Sequence, residues 1–158
     1  MADQLRPGSS GVFRAMVEGA RKVKRALTPT GDEELSPEAE EVGERLGQAF
    51  VAGRFGDVHA MTTPTFQEHT GRTQFEARWR DATSDRGPFT GFEASSVGQI
   101  DLGFIPGLEG VPQSQFVAFV EIAFSSAGLA IDDKKAFVVG AVLLDHGGEI
   151  RVGALHTR

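Results

Sequence analysis

Apolar residues first fall into a helical rhythm at Ser36. There Ser-Pro-Glu-Ala-Glu-Glu supplies a capping hydroxyl, a proline at the first helical position and acids in the first turn. Ala39, Val42, Leu46, Ala49, Phe50 and Gly53 then lie along one stripe flanked by Glu40, Glu44, Arg45 and Gln48, which predicts a helix that packs by one face. Gly53-Arg-Phe-Gly56 breaks it. Asp57 is placed to cap a short second helix through Met61, and Pro64 stops it from running much further. Thr73 and Glu76 match a capping box, and Phe75, Trp79 and Ala82 share one face of a third helix that ends at Gly87-Pro88.

After Pro88 the period drops from helical to alternating. Four strands are predicted near 90–103, 115–125, 135–145 and 149–157, separated by turn signals at Pro106-Gly107, Gly110 with Pro112, Asp132-Asp133 and His146-Gly147-Gly148. The fold class is therefore α+β, with N-terminal helices packed on an antiparallel meander. Strand parity leaves neither face polar. Phe116, Ala118, Val120, Ile122 and Phe124 point one way, while Val117, Phe119, Glu121 and Ala123 point the other, and Phe137–Leu144 is apolar on both sides. A second apolar face needs a cover, and the expected one is a second copy of the chain in a homodimer formed through the sheet face, with the N-terminal helix as the alternative.

A chain of 158 residues suffices for one core without staples. The absence of cysteine excludes a disulfide framework, a thiolate metal site and a cysteine nucleophile, and places the protein by default in the cytoplasm. No apolar run reaches the roughly 20 residues of a membrane-spanning helix. The net charge of −6 hides an asymmetry: residues 1–30 hold six basic side chains against Asp3 and Glu18, so they carry +4 and the remainder −10. Residues 1–35 read as a basic arm ahead of a domain over 36–158. Within the arm Val12, Phe13, Met16, Val17, Ala20, Val23 and Leu27 recur near helical spacing opposite a mostly basic face, the pattern of an amphipathic helix that contacts a protein or an anionic membrane surface. The acidic domain has no basic stripe with interleaved aromatics, so no nucleic-acid partner is expected.

The run from Ala39 to Trp79, with its long amphipathic helix, Ala52-Gly-Arg-Phe-Gly-Asp-Val58, Met61-Thr-Thr-Pro-Thr-Phe66 and the helix carrying Trp79, followed by four strands, resembles the nuclear transport factor 2-like superfamily and its bacterial domains of unassigned function. The resemblance covers about residues 37–157. It implies the cystatin-like cone, in which a bent sheet wraps a long helix around an apolar pocket and dimers form through the sheet. Members of that superfamily include ketosteroid isomerase, polyketide cyclases, scytalone dehydratase and many non-catalytic binding domains. No catalytic motif of the superfamily maps onto this sequence residue by residue.

The candidate chemistry is correspondingly sparse. Glu121 interrupts an apolar strand face and fits a general acid or base. His156, on the strand face of Ile150, Val152 and Ala154, is a partner for it if the last strand pairs beside that of Glu121, and Asp81 after Trp79 is a third candidate. Phe66, His69, Phe75, Trp79 and Glu121 are the expected ligand-binding residues. His59 and His69 have no third ligand at a recognised spacing, so neither a metal nor a cofactor is expected. Two functional classes follow. The favoured one is a non-catalytic pocketed domain for a small apolar ligand or a protein partner; the alternative is an isomerase, dehydratase or cyclase working by proton transfer inside the cone.

Overall fold

The structure, a computed structural model, describes residues 35–86, 88–127, 129–131 and 135–157. The expected helix of the arm and the Asp132-Asp133 turn lie outside them. Helix α1 spans Pro37–Ala52, with the Ser36 hydroxyl accepting from the Ala39 amide at 3.2 Å and Gly53 closing it at φ 72°. That left-handed closure is available to glycine at little cost. Helix α2 spans Phe55–Ala60. Asp57 does not cap it but sits in its first turn, paired with Arg54 at 3.1 Å.

Pro64 begins a helix rather than ending one. With the Thr63 hydroxyl accepting from the Phe66 amide, it occupies the first position of α3, Pro64–His69, where its missing N–H costs nothing. Helix α4, Arg72–Thr83, starts one residue before the expected Thr73 cap, with Gly71 at the N-cap. Glu76, freed from a capping-box role, pairs instead with Arg72 at 3.2 Å.

Strands β1 (Phe89–Gly98), β2 (Phe116–Ser126), β3 (Phe137–His146) and β4 (Glu149–Thr157) form one open antiparallel sheet in sequence order. The β3–β4 hairpin turns on Gly147 and Gly148 at φ 65° and 89°, the positive pair that a two-residue primed turn requires. Strand β1 stops five residues short of its expected end, because Gly98 takes φ 104° and Asp101 caps a 3₁₀ turn over Leu102–Phe104.

Helix α1 lies on the first face of the sheet, and two buried glycines set how closely it approaches. A Cβ on Gly43 would touch Ala94 and Val120 at ordinary distance, whereas one on Gly47 would run into the Phe92 ring. Beneath and beside the helix, Phe50 meets Trp79 edge-on at 4.9 Å between centroids and Phe55 and Phe124 at 5.8 Å each. Phe89 stacks on Phe124 and Phe137. This aromatic cluster, with Leu46, Val58, Ile122, Val139, Leu143 and Val152, is the main core.

The second face carries its own apolar cluster, and its cover comes from within the domain. Residues 99–115, joining β1 to β2, fold back so that Ile100, Leu102, Ile105 and Leu108 bury against Phe119, Val142, Leu144 and Ala154. Leu102, Ile105, Leu108 and Val111 are three residues apart, and each of the last three donates its amide to the carbonyl of the one before, at 2.9–3.1 Å. These are successive three-residue turns, with a 3₁₀ helix only over Leu102–Phe104 and Gly107 at φ 91° between Ile105 and Leu108. The Gln113 side chain fastens the connection from within, accepting from the Leu102 amide at 2.9 Å and donating to the Ile100 carbonyl at 3.0 Å.

Candidate functional site

Strand β4 is an edge of the sheet, and its irregularity shapes an apolar groove. Leu143 pairs with Val152 and Val142 with Ala154, which leaves Gly153 as an extra, bulged residue. The bulge reverses side-chain parity. Ile150 and Val152 pack into the main core on the first face, while Ala154 joins the second-face cluster and His156 falls on its side. The expectation that His156 shares a face with Ile150 and Val152 is thereby corrected, since an inserted residue shifts a period of two by one.

Before the bulge the strand edge is closed: the Thr63 amide donates to the Val152 carbonyl and the Val152 amide to the Met61 carbonyl, at 2.9 and 2.8 Å. Beyond the bulge a groove of about 380 Å³ opens, walled by α3 on one side and by the β1–β2 connection on the other. Phe66, Leu108, Val111, Leu144 and Leu155 give it an apolar lining, with Thr63, Thr65, Gln115, His69 and His146 among the polar groups around it. Its volume is within the usual range for small-molecule sites. Gly153 lies at the floor, where a Cβ would stand 3.0 Å from Leu144 Cγ and closer to Cδ1, so that Leu144 would have to shift.

Of the expected ligand-binding residues, the structure brings Phe66 and His69 to this groove. His69 is exposed, its Nδ1 donating to the Thr65 carbonyl at 2.9 Å. Phe75 and Trp79, at 1% and 6% exposure, are packed inside the main core. His59 is also interior, donating from Nε2 to the Thr70 carbonyl at 2.7 Å with its ring 5.3 Å from that of Phe75. Asp81 is exposed on α4.

Glu121 and His156 share a row away from the groove, but not on neighbouring strands, because β3 lies between β2 and β4. Ser95, Glu121, Gly140 and His156 form one row across the four strands of the second face, and Gly140 places no side chain between the carboxylate and the imidazole. Two strand spacings of about 4.8 Å separate their backbones.

A second groove, of about 340 Å³, lies between α1, α2 and the start of β4. Its cations are largely matched by neighbours, with Arg54 on Asp57 at 3.1 Å and Arg151 on Glu149 at 3.0 Å. Among the described residues no three of His, Asp and Glu gather as a metal site, and no helix is long and apolar enough to cross a membrane.

Sequence reading missed most of the apolar groove because its wall is the β1–β2 connection, where Pro106, Gly107, Gly110 and Pro112 signal turns. The three-residue spacing of Leu102, Ile105, Leu108 and Val111 was the signal that this connection is a packed element. Compared with family models, curated proteins and solved structures, the chain matches none.

Proposed function

We propose that the chain is a non-catalytic binding domain of the nuclear transport factor 2-like kind, whose site is the groove between α3, the β1–β2 connection and the bulged edge of β4, and whose ligand is a small apolar molecule. The groove itself carries the reading: an apolar lining of Phe66, Leu108, Val111, Leu144 and Leu155, a floor at Gly153 where a Cβ would crowd Leu144, and hydroxyl, amide and imidazole groups to orient what binds. The space between α1 and the sheet, where a cone of this superfamily would hold its ligand, is occupied here by Phe50, Phe75, Trp79, Phe124 and Phe137. A ligand is therefore better accommodated at the edge of β4 than under the helix. The superfamily reading rests on the motifs quoted above together with α1 lying across one face of a four-stranded antiparallel meander.

The catalytic alternative draws on one observation, the shared row of Glu121 and His156. It requires substrate to reach the second face, whereas neither residue lines the apolar groove.

Native mass spectrometry of the freshly purified full chain, before and after addition of 2-naphthol as an apolar probe, tests the binding reading. A retained small molecule or a bound probe in the wild type, lost in Val111→Glu and in Phe66→Ala, is expected. Binding that is unchanged in both variants, or no binding in any sample, overturns it.

A further inference from the structure

Although 24% of the chain is charged, no aspartate, glutamate, lysine or arginine is among the described residues that line the groove at the edge of β4. His69 and His146 are the titratable groups there. The charged side chains of the surrounding elements are held by bonds of their own. On the β1–β2 connection Glu109 accepts from the Gly107 amide at 3.0 Å, and at the β3–β4 hairpin Asp145 accepts from the Gly148 amide at 2.9 Å. Glu149 takes Arg151 at 3.0 Å, and the Arg151 guanidinium also donates to the Ala60 carbonyl at 2.9 Å, on the side of the second groove. Glu68 is exposed on α3 next to His69.

This lining sets the sign of what it can hold. A bound cation would meet no carboxylate, so nothing would offset its desolvation. A carboxylate would meet donors, because an imidazole offers N–H groups and, as an imidazolium, a positive charge. His69 is already oriented: Nδ1 donates to the Thr65 carbonyl at 2.9 Å, one turn back on α3, which leaves Nε2 for a ligand. Thr63 adds a hydroxyl whose oxygen accepts from the Phe66 amide and whose proton remains to be donated. Both histidines are exposed, so they stand at the mouth of the groove and not at its Gly153 floor. A carboxylate held there keeps part of its hydration while the hydrocarbon behind it is buried.

On the reading that this groove is the binding site, we propose that its ligand is a small apolar carboxylic acid. The hydrocarbon lies against Phe66, Leu108, Val111, Leu144 and Leu155, and the carboxylate is held at the mouth by His69 Nε2, with His146 adding positive charge. The apolar walls give affinity for any hydrophobic molecule that fits, and the two histidines select the acid among them.

Calorimetric titration of the full chain with 2-naphthol, 2-naphthoate and (2-naphthyl)methylammonium, at about pH 6 where histidine readily protonates, compares three charges on one hydrocarbon. 2-Naphthoate should bind about tenfold tighter than 2-naphthol, as one charge-assisted hydrogen bond provides, and the ammonium should bind weakest. In the His69→Gln/His146→Gln double variant, its fold checked by Trp79 fluorescence, the 2-naphthoate and 2-naphthol affinities should converge to within about twofold. Equal affinity of the wild type for the two, tighter binding of the ammonium, or a preference that survives the double substitution overturns the proposal while leaving the groove as the binding site. No binding of any of the three overturns the groove itself, and this proposal with it.

Discussion

Substituting alanine at two glycines one turn apart on α1 should have opposite effects on stability. At Gly43 a Cβ would meet the Ala94 Cβ and the Val120 Cγ1 at 3.7 Å each, ordinary contact distance. Gly43→Ala therefore gains the helix-propensity difference between glycine and alanine, about 0.5–1 kcal/mol, and fills rather than crowds the interface. At Gly47 the same atom would lie 2.7 Å from the Phe92 Cγ and closer still to two atoms along one edge of the ring. Cγ is the root of the ring, so relief requires the whole side chain, or α1, to move. Overpacking of this kind costs about 1–3 kcal/mol. Because both sites share the propensity gain, the difference between the two variants isolates the clash: Gly47→Ala should be less stable than Gly43→Ala by about 1–3 kcal/mol. Urea unfolding followed by Trp79, the sole tryptophan and 6% exposed beside Phe50, provides the assay. Trimming the ring should invert the sign, so that Gly47→Ala made in a Phe92→Ala background becomes stabilising by about 0.5–1 kcal/mol. A Gly47→Ala midpoint equal to or above that of Gly43→Ala would refute the close approach of α1 to β1.

Phe124 packs on Phe50, Phe89, Phe92 and Phe137, so Phe124→Ala should cost about 3–5 kcal/mol in the same unfolding assay, whereas Phe104→Ala, at 65% exposure, should stay within about 0.5 kcal/mol of wild type. Gln113→Ala removes both bonds that fasten the β1–β2 connection and should cost about 1–3 kcal/mol, with faster amide exchange at Leu102, Ile105 and Leu108 than in β2 or β3. Gly148→Ala forces a side chain to φ 89° at the hairpin and should destabilise by about 1–2 kcal/mol, measured as a lowered thermal midpoint.

Much of the architecture was legible in the residues. Ser36-Pro37 starts α1, the stripe from Ala39 to Phe50 is its buried side, and the change to alternation after Pro88 announces a meander whose last turn is the glycine pair at 147 and 148. Reading failed where one residue type has two uses. Pro64 blocks the interior of a helix yet suits its first position, and only the Thr63 hydroxyl in place decides which. Parity failed at Gly153, because a bulge leaves no trace in a pattern of alternation until the partner strand is known. The need to cover a second apolar face was read correctly from β2 and β3, but not that residues 99–115 would cover its Phe119–Ala154 end. The candidate site was less legible still. Phe66 and His69 reach the groove, but Leu144, Gly153, Ala154 and Leu155 do so through strand order and a bulge, which are non-local properties. Glu121 and His156 were expected to pair if the last strand lay beside that of Glu121; β3 lies between instead, and register alone puts the two in one row across Gly140.

The groove at the edge of β4 is the account's central claim, and the most direct test maps where an apolar probe settles. Two-dimensional amide spectra of the full chain, titrated with 2-naphthol, should show shifts concentrated at Phe66, Leu108, Val111, Gly153 and Leu155, and these should vanish in Val111→Glu. Shifts centred instead on Ser95, Glu121 and His156, or no saturable shift at any residue, would contradict it.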